Sequence, residues 1–257
     1  MEHIENESLT IEGRNAVIEA FRAGKTIDKL FILDGCQDGP IRTILREAKK
    51  TDAVVQFVKK ERLEQLSETG KHQGVIAFAA AYKYGTVEEM LAKAKDREEP
   101  PFLILLDGVE DPHNLGSILR TANQVGAHGV IIPKRRAVGL TATVAKASAG
   151  AINYTPVAKV TNMVNTMEEL KKQGLWFVCG DMDGEVMYRQ NLTGPIGLVL
   201  GSEGEGVSRL VKEHCDFSAG IPMHGDVDSL NVSVAMAVLS YEVLRQKCVK
   251  NEVSLRR

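Results

Sequence analysis

The sequence predicts an α/β protein of two domains, and three observations carry that reading. Short apolar strands alternate with helical periodicities along almost the whole chain. A charged, helix-prone segment ended by Pro100-Pro101 divides the pattern in two. In the second part the strands are apolar without polar alternation, the mark of a mainly parallel sheet covered on both faces. A chain of 257 residues is long enough for a buried core in each part.

In the first part, Ala16, Val17, Ala20 and Phe21 recur at helical spacing, with Gly24 placed to end the helix. A strand follows at 29–33, a helix at 40–50, a strand at 54–58, a helix at 60–67 and a strand at 74–81. Residues 1–85 are therefore expected as a compact α/β/α domain, 86–101 as a linker, and 102–257 as a second domain. That second domain should run strand 102–106, helix 114–126, strand 129–133, a Thr/Ala-rich stretch, strand 155–160, helix 163–173 and strand 175–180. Strands at 196–200 and 217–221 and a long helix from 230 to 248 complete it. Ligands of such sheets sit beyond the carboxyl ends of strands, which directs attention to the loops after 106, 180, 200 and 221.

Charge excludes little. The net charge is −2, with residues 1–85 and 101–257 each balanced and a small acidic surplus between them. No region is basic enough to announce nucleic acid by charge alone. Lys134-Arg135-Arg136 could touch phosphates, although three basic residues in a loop are mostly solvated surface. The four cysteines lie far apart in sequence with no metal-ligand spacing, so reduced thiols and no metal are expected. No apolar stretch approaches the roughly 20 residues of a membrane span. The polar N-terminus MEHIENES does not read as a signal peptide, so a cytoplasmic protein is expected.

The loop GSEGEG at 201–206 has too few correctly spaced glycines for a dinucleotide fingerprint and no Lys-Ser or Lys-Thr for a P-loop. Its glutamates would repel a phosphate. By itself it reads as a tight turn with glycines at positive φ. In DGVEDPHNLGSILRTANQVGA, Asp111, Pro112 and Asn114 form a turn and a helix start, and His113 is a turn residue. Arg120 lies opposite the apolar arc of Leu115, Ile118, Leu119, Ala122 and Val125. Gly116, one turn earlier, should clear space beside it for something to lie there. Ser229, Asn231 and Ser233 introduce the last helix, and capping alone accounts for one of them more easily than for all three. No G-x-S-x-G elbow and no HExxH motif occur.

Taken together, N-L-G-S-I-L-R (114–120), L-G-S-E-G-E-G (200–206) and S-L-N-V-S-V-A (229–235) resemble the three motifs of the SpoU/TrmH family of RNA ribose 2′-O-methyltransferases. GRNAVIEAF and HQGVIAF, within 9–84, resemble the L30e-like substrate-binding domain that precedes many of these catalytic domains. That pairing is similar to the branch that methylates a 23S rRNA guanosine. The resemblance implies a SPOUT α/β catalytic domain with a C-terminal trefoil knot, a homodimer, and S-adenosylmethionine (SAM) as methyl donor. It implies Asn114, Arg120, Glu203, Asn231 and Ser233 as catalytic positions. Leu200, Gly201, Gly206, Ile221, Met223, Ser229 and Leu230 are implied around the cofactor. A sulfonium is cationic and carries no phosphate, which suits an acidic loop with close backbone approach. The family assigns the arginine as general base. A guanidinium is effectively always charged, so stabilising a developing alkoxide or gripping a phosphate is an equally physical role. A tRNA ribose methyltransferase and a non-catalytic RNA-binding protein with a knotted domain are the alternative readings.

Overall fold

The computed structural model describes residues 10–251 except Asp52 and Asp228. The MEHIENES segment therefore lies outside the described residues. The chain divides into two compact units, one reaching to Lys83 and including Gly139–Ala142, the other formed by Tyr84–Val138 and the chain from Thr143 onward.

The first unit contains β1 (Thr10–Glu12), α1 (Arg14–Arg22), β2 (Ile27–Leu33), α2 (Gly39–Thr51), β3 (Val54–Val58), α3 (Lys60–Leu66) and β4 (Val75–Ala79). The sheet order is β1-β4-β2-β3, with β2 and β3 parallel and β4 antiparallel to both its neighbours. Alternation along the strands splits the core. Leu30, Ile32, Val75 and Ala77 pack with Val17 of α1 and Ile41 and Ile44 of α2. Phe31 and Ile76 face the other way, onto Leu63 of α3, and the Phe31 and Phe78 rings meet edge to face at 5.7 Å. The three-residue β1 was not anticipated, being too short to show a period. Its Glu12 carboxylate is tied down by Ser67 Oγ (2.6 Å), Thr69 Oγ1 (2.7 Å) and the amides of Glu68 (2.6 Å) and Thr69 (3.1 Å).

The second unit begins with α4 (Val87–Asp96), where a linker was expected. Thr86 and Glu89 form a reciprocal capping box, and Met90 and Ala94 are fully buried. A Cβ on Gly129 would lie 2.3 Å from Met90 Sδ, so the glycine lets this helix sit directly on the sheet. Charge and Pro100-Pro101 marked a boundary, but the apolar residues hidden among the charges made the segment a core helix.

The remaining elements are β5 (Phe102–Asp107), α5 (Pro112–Gln124), β6 (Gly129–Pro133), α6 (Ala142–Ala147), β7 (Val157–Val160), α7 (Met163–Lys171) and β8 (Trp176–Val186). After them come β9 (Ile196–Gly201), α8 (Arg209–Glu213), β10 (Phe217–Gly220) and α9 (Val232–Asn251). The sheet is parallel throughout, in the order β10-β8-β9-β5-β6-β7. All six residues of β9 are buried, as a strand covered on both faces requires. One face carries Met90, Met163, Met167, Leu170 and Val211 over Leu103, Leu105, Ile131, Phe177 and Val199. On α9, Met236, Leu239 and Val243 are fully or almost fully buried, and the helix packs against α5, β8 and β9. Strand order reverses between β5 and β9, which places a topological switch point at the carboxyl ends of these two strands.

Two further elements depart from the sequence reading. The Thr/Ala-rich stretch contains α6, and β8 extends to Val186 instead of stopping at 180. Along β10, Ser218 pairs with Cys179 but Ala219 pairs with Glu185, so β8 makes an excursion through 180–184.

Candidate active site

The glycine-rich loop leaves β9 at the switch point and folds back on itself. Ser202 and Gly206 exchange backbone hydrogen bonds (3.1 and 3.0 Å), while Gly204 (φ 90°) and Gly206 (φ 66°) take positive φ. A Cβ on Gly201 would stand 1.8 Å from the carbonyl carbon of Gly206, so only glycine fits there. Beyond the loop, the Ser208 amide donates to Asp107 Oδ2 at 2.9 Å, fastening its exit to the end of β5.

Glu203, at the loop tip, meets residues from two helix starts. Asp111 caps α5 by accepting from the His113 amide (3.0 Å), with Pro112 in the first turn. This sets Asn114, which is buried, to donate through Nδ2 to Glu203 Oε1 at 3.0 Å. Asn231 Oδ1 caps α9 through the Ser233 amide (3.0 Å) and also accepts from Ser233 Oγ (2.6 Å). Its Nδ2 group donates to Asn114 Oδ1 (2.9 Å) and Glu203 Oε1 (2.5 Å). The three side chains close a triangle. Glu203 Oε2 has no partner among the described residues.

Two cavities flank the loop. One, of about 660 Å³, is lined by Leu200, Gly201, Gly206, Ile221, Met223, Ser229 and Leu230, every residue the sequence placed around a cofactor. Glu203 and Asn231 reach it as well. The other, of about 690 Å³, is lined by Asn114, Glu203, Asp107, Arg136 and Arg209 among others. Glu203 thus borders both. Ser233 joins the triangle only through Asn231. Arg120 is exposed, lines neither cavity, and makes no hydrogen bond or ion pair among the described residues. The space that Gly116 clears is taken by another helix of the chain. A Cβ there would lie 2.3 Å from Ala147 Cβ and 2.9 Å from the Val144 carbonyl, so α6 fills the space.

Sequence reasoning missed Asp181, Asp183 and Lys212, which line the first cavity. Asp181 Oδ2 pairs with Lys212 Nζ, and Asp181 Oδ1 accepts from the Asp183 amide at 2.9 Å. Burial pushes the Asp181 pKa up, but the Lys212 and Asp183 hydrogen bonds outweigh it and hold it below the usual carboxylate value. The hydrogen bond to Asp181 in turn raises Lys212. The position of Asp181 and Asp183 after the expected strand end at 180 was the one signal for them, and Lys212, on α8, had none. Among the described residues, no three His, Cys, Asp or Glu side chains are grouped to hold a metal ion, and no helix is long and apolar enough to cross a membrane.

The first cavity therefore offers an apolar wall of Ile221, Met223 and Leu230 and four carboxylates, Asp181, Asp183, Glu203 and Glu205. Four carboxylates favour a positively charged group over a phosphate. Fold and site define the class: an open parallel α/β domain with an acidic and apolar cavity at its switch point.

The chain belongs to the SpoU rRNA methylase family, whose model matches residues 101–241. A second model, for RNA 2′-O ribose methyltransferase substrate binding, matches residues 10–85. YacO of Bacillus subtilis, named for the TrmH family of tRNA/rRNA methyltransferases, is 49% identical over 91% of this chain and 94% of its own. Among solved structures, the SpoU methyltransferase AviRb of Streptomyces viridochromogenes, in complex with AdoMet, superposes with a TM-score of 0.60 at 22% identity. The match covers 93% of this chain and 90% of AviRb. An RNA 2′-O ribose methyltransferase matches with a TM-score of 0.52 at 25% identity, over 93% of this chain and 88% of that one. The protein is an RNA methyltransferase of the SpoU/TrmH family.

Proposed function

We propose that the protein methylates a ribose 2′-hydroxyl of RNA with SAM as donor, the acceptor being a guanosine of 23S rRNA. The observation that carries this reading is the Glu203–Asn114–Asn231 triangle standing between two cavities, one lined by all seven expected cofactor residues. When bound, SAM supplies an electrophilic methyl group on a sulfonium. The Leu200–Gly201 backbone and the 221–223 and 229–230 segments would hold its nucleoside, and the acidic wall its positive charge.

The chain's own contribution is positioning and proton handling. Asn114 and Asn231 donate to Oε1 and fix the Glu203 carboxylate, leaving Oε2 to accept the hydrogen of an incoming hydroxyl. With the methyl group supplied by a bound SAM, Glu203 Oε2 would take up the proton that the ribose hydroxyl gives up. Ser233 steadies Asn231, and Arg120, exposed and without a partner among the described residues, is available for an RNA phosphate. The exposed Val234 and Tyr241 on α9 support a homodimer, and a C-terminal trefoil knot, an L30e-like first domain and a cytoplasmic setting belong to the same reading. The substrate-binding first unit favours rRNA. A tRNA target is the second reading, favoured by the tRNA/rRNA naming of YacO.

The test is to map ribose methylation across 23S rRNA and tRNA from cells with and without the gene. Loss of one 2′-O-methylguanosine in 23S rRNA is expected. Loss confined to a tRNA position would select the second reading.

A further inference from the structure

The cofactor cavity is uneven in charge. Among the described residues that line it, Lys212 is the single Lys, Arg or His, set against four carboxylates. A merely cationic ligand gives no reason for an ammonium in such a wall. Lys212 is not stray surface charge either. The Asp107–Ser208 hydrogen bond anchors the chain just before α8, and α8 carries Lys212 onto Asp181. The Asp181 carboxylate is held on both oxygens and its side chain is only 18% exposed, while that of Lys212 is 43% exposed and so free to re-aim.

The other walls are already assigned by chemistry. Ile221, Met223 and Leu230 suit the heterocycle, and Glu203 with Asn231 marks the reacting end. The excursion of β8 through 180–184 brings Asp181 to the remaining wall, where Lys212 of α8 pairs with it.

We propose that the Asp181–Lys212 ion pair is the receptor for the α-amino-carboxylate end of the cofactor, the two residues exchanging each other for the two ends of that zwitterion. Lys212 turns from Asp181 to the ligand carboxylate, and Asp181 accepts from the ligand ammonium. One ion pair becomes two, and no charge is left uncompensated. The inference rests on the reading of this cavity as the SAM site.

The test uses two neutral thioethers, so that the sulfonium plays no part: S-adenosylhomocysteine, which has the amino-acid end, and 5′-methylthioadenosine, which lacks it. Affinities of the full-length protein are measured by calorimetry for wild type, Lys212→Gln and Asp181→Asn. Wild type should bind S-adenosylhomocysteine at least tenfold more tightly, about the value of one charge-assisted contact. Each variant should lose about tenfold for S-adenosylhomocysteine while 5′-methylthioadenosine stays within about twofold, which also reports an intact cavity. An unchanged ratio of the two affinities in both variants would overturn the proposal, as would a wild type that does not discriminate. Failure of wild type to bind either nucleoside would instead overturn the cofactor reading, and this proposal with it.

Discussion

Two carboxylates, one in each unit, are used in opposite ways. Glu12 is saturated by four hydrogen bonds that close the 67–69 segment onto β1. Burial pushes its pKa up, but the bonds from Ser67, Thr69 and the Glu68 and Thr69 amides outweigh it and lower the value to about 2. Glu203 has one oxygen held by two amide side chains and the other, between two cavities, without a partner among the described residues. A carboxylate whose acceptor capacity is spent locally maintains structure, whereas one fixed at a single oxygen keeps acceptor capacity for a substrate.

Substituting each residue by its amide sharpens that contrast. Glu203→Gln should reduce methyl transfer by about 10²- to 10³-fold, the range for losing a positioned proton acceptor or electrostatic group. Its SAM affinity should fall far less than its turnover, because three other carboxylates line the cavity, and Glu205→Gln, two residues along the loop, should leave turnover near wild type. Single-turnover assays with SAM titrations check this. Equal losses from both substitutions would mean that loop charge, not the triangle, matters.

Glu12→Gln should act on stability, by about 1 kcal/mol at neutral pH for a net loss of hydrogen bonding to a charged group. The sign follows from the lowered folded pKa. The contribution is fully present above the unfolded value of 4.5 and is lost as pH falls toward about 2. Urea unfolding at pH 7 and pH 3 should show the gap between wild type and variant narrowing at the lower pH. A constant gap would remove Glu12 from the linkage.

Much of the second unit was legible because a doubly covered parallel sheet writes itself as apolar runs. The strands at 102–107, 129–133 and 196–201 follow directly from FLILLD, GVIIP and IGLVLG. What escaped has local reasons. In β1 three residues carry no period, and the continuation of β8 is polar at Asp181 and Asp183, which line a cavity. What lies against Gly116 was not legible because the contact is non-local: no helical periodicity shows that Ala147 of α6 packs there. Glu203, Asn114 and Asn231 are separated by 89 and 28 residues, so their meeting depends on the strand order, and only the motif resemblance made it foreseeable. Arg120 shows the converse, a motif residue that the fold leaves apart from the triangle.

The central claim is transfer of a methyl group from SAM to a ribose oxygen. Purified protein incubated with methyl-labelled SAM and unmodified 23S rRNA, followed by nuclease digestion and mass spectrometry of the nucleosides, tests it directly. Label in 2′-O-methylguanosine, lost with Glu203→Gln, is the predicted result. Label on a nucleobase would contradict the account, as would no transfer to either rRNA or tRNA by a protein that binds SAM.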